Sequence, residues 1–455
     1  MQQDKEFLGK APVGRLLFKL ALPTVIAQLV NMLYNVVDRI YIGHIEGYGD
    51  LALTGVGVCL PLIMIVSAFA ALVGSGGAPR ASICMGQKDY DKAERILGGC
   101  FGLQLILSAV LSAVLLLWNK PLLLAFGASE NTIQYATQYM SIYAIGTVFV
   151  QLTLGMNAFI SAQGFTRVSM LSVIIGALCN IALDPLFIYG FGLGVRGAAI
   201  ATVLSQAAST VWILLFLLGK KTHLRLRPKY FVPVPRTVLP CVALGLATFV
   251  MQSSESVIAI CFNTSLRTFG GDVAVGAMTI LTSVMQFAML PMQGVAQGAQ
   301  PILSYNFGAR NAQRVKKTYK LLLVSCVCYS VTLWAAVMLF PQLFVGMFTS
   351  SAALADFAAP MLRIYYAGMV LFGIQIACQM TFVSIGNALC SIIVAVMRKF
   401  VLLLPLIYLV PQFTADKTMG VYLAEPIADV IAVIFTAVLF SVQFKKAIRG
   451  LQPGE

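Results

Sequence analysis

Apolar residues fill this chain in long unbroken blocks, separated by short segments where Gly, Pro and charge collect. Blocks such as 101–118, 203–218 and 321–340 hold no charged residue. A helix of roughly 20 such residues crosses a hydrocarbon core of about 30 Å. The strands of a membrane β-barrel would alternate polar and apolar positions over about ten residues, and these blocks do not alternate. Reading the punctuation along the chain predicts twelve membrane-spanning helices at 16–43, 51–75, 96–118, 132–158, 167–190, 197–219, 237–262, 273–300, 317–340, 357–385, 389–411 and 418–444. The fold class is all-α integral membrane.

Composition agrees. Of 455 residues, 59% are hydrophobic and only 11% are charged, too few to cover a soluble protein of this size. The net charge of +14 does not point to nucleic acid, because the bases concentrate between the apolar blocks. That is the asymmetry that marks cytoplasmic loops. With both termini inside, all of the 31 Lys and Arg except Arg39, Lys120, Arg196, Arg267, Arg363 and Lys417 are assigned to the cytoplasmic side; Lys5, Arg398 and Lys399 are counted there. The ten cysteines are scattered, form no CxxC pair, and read as small apolar residues within spans. The opening MQQDKEFLGK is polar and short and does not read as a cleaved signal peptide.

The chain repeats itself. Pro23 and Asp38 in the first span align with Pro240 and Glu255 in the seventh. The block GGAPRASICMGQKDYDKAERI from Gly76 aligns with GAQPILSYNFGARNAQRVKKT from Gly298, so that Pro79 meets Pro301 and Gly86 meets Gly308. The longest polar segment, KKTHLRLRPKYFVPVPR, divides the halves. This gives an N-terminal six-helix lobe at 1–219, a cytoplasmic loop at 220–236 and a C-terminal six-helix lobe at 237–455. Each half has an even number of spans, so both enter the membrane in the same sense. Parallel repeats of this kind place a substrate site between them.

Five acids fall inside predicted spans: Asp38, Asp184, Glu255, Glu425 and Asp429. A carboxylate there is costly and faces the bundle interior or water. Gln28, Asn31, Asn35 and Asp38 recur at steps of three, four and three, so they share one helix face, with Tyr34 beside them. Arg39 points about 100° away from Asp38 and is a poor partner for it. Asn180 and Asp184 share a face of the fifth span, and Pro185 frees a backbone carbonyl there. Thr248, Gln252 and Glu255 form the matching stripe of the seventh span. Glu425 and Asp429 lie one turn apart, which suggests a shared proton. Ser283, Gln286, Gln293, Gln297 and Gln300, with Met285, Met289 and Met292 adjacent, and Gln375 with Gln379, suit an adaptable uncharged cavity; interhelical hydrogen bonds explain each residue singly as well. His44 and His223 lie in loops and receive no role.

VDRIYIG near the end of span 1, the block after span 2, NIALDPLFIYGFGLGVRGAAIAT across spans 5 and 6, and QPILSYNFGARN together resemble the multidrug and toxic compound extrusion (MATE) transporters, a bacterial branch, over nearly the whole chain. The resemblance implies a secondary active antiporter in the cell's inner (plasma) membrane. It would export organic cations or amphiphilic drugs in exchange for H⁺ or Na⁺ by alternating access between two pseudo-symmetric lobes. It would need no cofactor, would not be an enzyme, and would act as a monomer among membrane lipid without nucleic acid. It makes Asp38, Asn180, Asp184 and Thr202 an ion cluster open to H⁺ or Na⁺, with Glu255 and Glu425 coupling ions in the second lobe. Gln28, Asn31, Tyr34, Asn35, Gln252, Gln286, Met289 and Gln293 are the substrate-cavity candidates. Acids in both lobes would allow two ions per cycle and use of the membrane potential. The rival is a lipid-linked saccharide flippase of the same superfamily. It is disfavoured because it needs bases in the cavity, and the intramembrane charges read as acidic apart from edge residues such as Arg39 and Arg363. No aspartate-rich pair, HExxH or GxSxG in the spans supports an enzyme.

Overall fold

A computed structural model describes residues 6–349 and 351–451, so Lys5 of the charge count lies outside the described residues. Every element among the described residues is helical. The spans are α1 (Val13–Gly43), α2 (Gly49–Gly86), α3 (Tyr90–Leu117), α4 (Ile133–Ala162), α5 (Thr166–Gly190) and α6 (Val195–Leu218). A 74-residue helical stretch, Pro235–Gly308, follows, made of two helices joined at a kink. Straight, it would be about 110 Å long, several times a hydrocarbon core. It turns back at Gly271, where φ is 66° and ψ is −161°. Glycine adopts that conformation without the clash a Cβ would cause. Its two arms are α7 (235–270) and α8 (272–308). Then come α9 (Ala312–Leu339), α10 (Ala352–Tyr365 and Met369–Ser384, bent by 51°), α11 (Ala388–Phe413) and α12 (Lys417–Arg449). The twelve spans divide into two six-helix bundles, as the repeat predicts.

Each lobe carries one wide π-helical turn in its fifth span, at different heights. Leu186–Gly190 follows Pro185 in α5, and Met397–Leu403 precedes Pro405 in α11. Proline removes a backbone donor, and insertions of this type re-aim side chains near functional sites.

The lobes meet through small residues. A Cβ on Gly245 of α7 would stand 1.7 Å from the Leu72 carbonyl of α2, and one on Gly76 of α2 would stand 1.9 Å from the Cys241 carbonyl of α7. Gly86 abuts the Tyr305 carbonyl, while its repeat-mate Gly308 abuts the Ile83 carbonyl. The second contact is the first one reversed, as a two-fold relation between the lobes requires. Thr24 Oγ1 of α1 donates to the Gly294 carbonyl of α8 at 2.5 Å.

All these approaches lie in the halves of α1, α2, α7 and α8 nearest the chain termini. At the same end, the segment before α1 straps the lobes together. Arg314 donates to the Leu8 and Ala11 carbonyls at 3.0 and 2.7 Å, and Glu6 pairs with Lys88 at 3.0 Å. Hydrogen bonds and charge from Lys10 and Lys88 hold the Glu6 carboxyl down at about 2. Toward the opposite end the same helices expose apolar side chains, among them Leu33, Ile40, Val257 and Ile260. Asn31, Asn35, Gln252 and Gln286 of these helices are exposed there too, and amides at membrane depth face water, so the cleft between the lobes lies on the side away from the termini. Gly245→Ala is expected to wedge the closed end apart. Thiol labelling of Cys241, buried at this contact, should rise severalfold when mapped by mass spectrometry.

Candidate functional site

The acids of the first lobe converge. Asn180 and Asp184, one turn apart on α5, are fully buried, and Asn180 Nδ2 donates to Asp184 Oδ1 at 3.3 Å. Asp38 reaches across from α1 to lie beside Asp184, close enough for the two carboxylates to act on each other. The Thr202 hydroxyl donates to its own helix at Ala198 O, 3.0 Å away, and lies against the Tyr139 phenol. The hydrogen bonds leave a surplus of acceptors: Asp38 Oδ1, Asn180 Oδ1 and Asp184 Oδ2 are buried and have no partner. Among the described residues neither carboxylate is in an ion pair. Arg39 follows Asp38 but is exposed. Two carboxylates this close cannot both stay charged in a dry site without a proton or a cation between them. Buried oxygens that lack donors suit either, and hard cations prefer all-oxygen ligands.

The second lobe is built on the same plan with the opposite filling. Lys399 Nζ meets Glu255 Oε1 at 2.6 Å. Arg398 Nη2 donates to Glu425 Oε1 at 3.0 Å, and its Nε donates to Asp429 Oδ1 at 2.8 Å. Its guanidinium carbon lies 4.6 Å from the Phe372 ring centre, a cation–π contact. The π-helical turn directs these two adjacent bases inward, leaving Arg398 and Lys399 only 7% and 4% exposed.

The structure alters the reading of several of these residues. The intramembrane charges are not acidic alone: Arg398 and Lys399 sit in the middle of α11 and do not belong to the cytoplasmic set. Glu425 and Asp429, expected to pair with each other alone, are bridged by Arg398. Met289 does not line an open cavity; it is packed in the core, like Met292. Glu255 and Glu425, expected to couple ions, each have a cation supplied by the chain itself. The two bases were readable in AVMRKFVLLL, a charged pair inside an apolar block. Three acids in other spans needed neutralising, and assigning the pair to a loop hid that.

The remaining cavity candidates sort by exposure. Asn31, Asn35, Gln252, Gln286 and Gln293 are exposed, and Gln28 and Tyr34 are half-buried. Gln28 Nε2 donates to Gln297 Oε1 across the lobes at 3.2 Å, and Asn35 donates to the Asn31 carbonyl at 2.6 Å. Amides on α1, α7 and α8 are tolerated at membrane depth only if they line a wet cleft. A pocket of about 120 Å³ opens beside Glu255, lined also by Lys399, Glu425, Tyr365, Asn263 and Thr282.

The MatE family profile matches residues 23–186 and again 246–409, once per lobe. The multidrug export protein MepA of Staphylococcus haemolyticus is 25% identical over 368 residues, 81% of this chain and 80% of that protein. MepA of Staphylococcus aureus strain NCTC 8325 is 26% identical, covering 81% of each. Among solved structures, a MATE transporter in a bent conformation superposes with a TM-score of 0.92 at 23% identity, over 99% of this chain and all of its own. An outward-facing multidrug resistance MATE family transporter gives 0.91 at 24%, over the full length of both. A transporter from Pyrococcus furiosus, described as having a binding pocket of reversed polarity, gives 0.90 at 24%, also over the full length of both. At these identities the structures establish the fold.

Proposed function

Since the chain belongs to the MatE family of multi-pass membrane transporters, we propose that it is a secondary active antiporter. It exports organic cations or amphiphilic drugs across the plasma membrane in exchange for H⁺ or Na⁺, with both termini in the cytoplasm. The lobes are 1–219 and 237–455, joined by 220–236. The observation that carries this reading is the set of unpartnered oxygens on Asp38, Asn180 and Asp184.

The mechanism follows from charge. With an ion bound, the Asp38–Asp184 pair is neutral and tolerates closure around it. With the ion released, the pair carries charge and needs water or a cationic molecule in the cleft. The ion and the drug thus favour different lobe arrangements, and that difference in affinity is what alternating access needs. Asn31, Asn35, Gln252, Gln286 and Gln293 line the path as uncharged, adaptable contacts.

The flippase alternative loses its original counter-argument, since bases do lie within the membrane. It gains nothing from them, because Arg398 and Lys399 are buried and matched by acids. They offer no free positive charge to a pyrophosphate.

Linkage tests the reading at equilibrium. If ion and drug compete, each lowers the affinity for the other by the same factor. Titrating purified protein with a fluorescent organic cation should show weaker binding as either protons or Na⁺ are added, and Asp184→Asn should remove that dependence. Dye affinity unaffected by both ions would refute it.

A further inference from the structure

We propose that Lys399 is a tethered cation, filling in the second lobe the place that the coupling ion takes in the first and leaving the transporter with a single ion site. This rests on the antiporter reading above. Glu255 is the repeat-mate of Asp38, and each lies on the first span of its lobe. In the first lobe the fifth span supplies Asn180 and Asp184, which leave acceptor oxygens unfilled. In the second lobe the equivalent span supplies Arg398 and Lys399, which only donate. One lobe therefore has oxygens waiting for a cation, and the other has the cation built in.

The geometry around Glu255 fits this. Its side chain is 55% exposed toward the pocket, while the Lys399 side chain behind it is 5% exposed. The carboxylate faces the cleft, and the ammonium is held in the wall. A lysine ammonium is a compact point charge, comparable in role to a small bound ion. Being covalently attached, it cannot be released, and its effective concentration is far above that of any free ion. The other acids here are Glu425 and Asp429 of α12, each bonded through one oxygen to Arg398, with Asp429 Oδ2 left without a partner. Lys399 is the one base among the residues lining this pocket; Arg398 acts on Glu255 through its charge but gives its hydrogen bonds to Glu425 and Asp429.

The consequence is stoichiometric. A site with a fixed cation moves no charge across the membrane. Export of a monovalent drug against one monovalent ion then moves no net charge, and the membrane potential does not drive it. Lys399→Gln would leave Glu255 without its cation beside the Glu425 carboxylate, and a free carboxylate there takes up a proton or Na⁺ when the lobes close around it. The variant would carry two ions per cycle and respond to potential.

The test is accumulation of a monocationic dye in proteoliposomes under a fixed ion gradient, with and without an imposed potential. Wild type should be indifferent to the potential. Lys399→Gln should gain up to roughly fifty-fold in accumulation per 100 mV. Glu255→Gln/Lys399→Gln, whatever its rate, should be indifferent again. Infrared titration of the detergent-purified proteins in sodium-free buffer reads the same point without transport. A protonated-carboxyl band additional to that of the Asp38–Asp184 pair should appear in Lys399→Gln and be absent from both wild type and the double variant. The proposal is overturned if wild type already shows a band or potential response that Glu255→Gln removes, or if folded Lys399→Gln gains neither. Loss of ion dependence in wild-type transport would instead count against the antiporter reading, while the infrared result would still decide the role of Lys399.

Discussion

Asp38→Asn is expected to abolish ion-driven accumulation while the protein still folds. One pH unit supplies about 1.4 kcal/mol, so a one-for-one exchanger concentrates a monocation roughly tenfold under that gradient. Without the Asp38 carboxylate the ion no longer binds differently in the two lobe arrangements, and the ratio should fall to unity. Facilitated movement down the dye's own gradient should survive, because the amides of the cleft remain. Stability should hold, since Asn is nearly isosteric and relieves a like-charge contact with Asp184. A structural role for Asp38 would give the opposite pattern, with a fall in thermal stability alongside the lost transport. Dye flux and melting temperature on the same preparation separate the two.

The second large effect belongs to Arg398. It is buried, and it bridges Glu425 on one turn of α12 and Asp429 on the next. Arg398→Met would strand two carboxylates in a dry interior. Breaking a buried pair from one side costs about 3–5 kcal/mol. The expected result is a large drop in thermal unfolding temperature in detergent and poor recovery of the protein. Arg398→Met/Glu425→Gln/Asp429→Asn removes all three charges together and should regain most of that stability, since replacing a whole buried network is far milder than halving it. Arg398→Lys should not substitute well, because a single ammonium cannot span both carboxylates as the planar guanidinium does. Equal stability of Arg398→Met and wild type would show that the network does not hold the lobe.

The span layout was legible because lipid leaves long apolar blocks in any chain that crosses it, and because charge asymmetry and the internal repeat each supported the same count. What was not legible lies in the backbone. Nothing in the residues around Gly271 announces a helix continuing to both sides of one left-handed glycine, nor does the pattern reveal the π-helical turn at Met397–Leu403. That turn is what brings Arg398 and Lys399 inward together, so the miss in geometry became a miss in chemistry. The first-lobe cluster was legible because Asn180 and Asp184 stand one helical turn apart and Asp38 ends a polar stripe. The distinction between the lobes was not, because it depends on which acid finds a base on another helix. Such pairings are long-range: Glu255 and Lys399 are 144 residues apart. Met289 was read as a cavity residue from its neighbours, yet helix packing turned it into the core.

The most direct measurement uses purified protein in liposomes, with a fluorescent cationic dye and an imposed gradient of either protons or Na⁺. The antiporter account gives uphill dye movement under one of the two gradients, in the direction opposite to the ion, and none in Asp38→Asn. Dye movement that ignores both gradients across several organic cations would contradict it and direct the search toward lipid substrates.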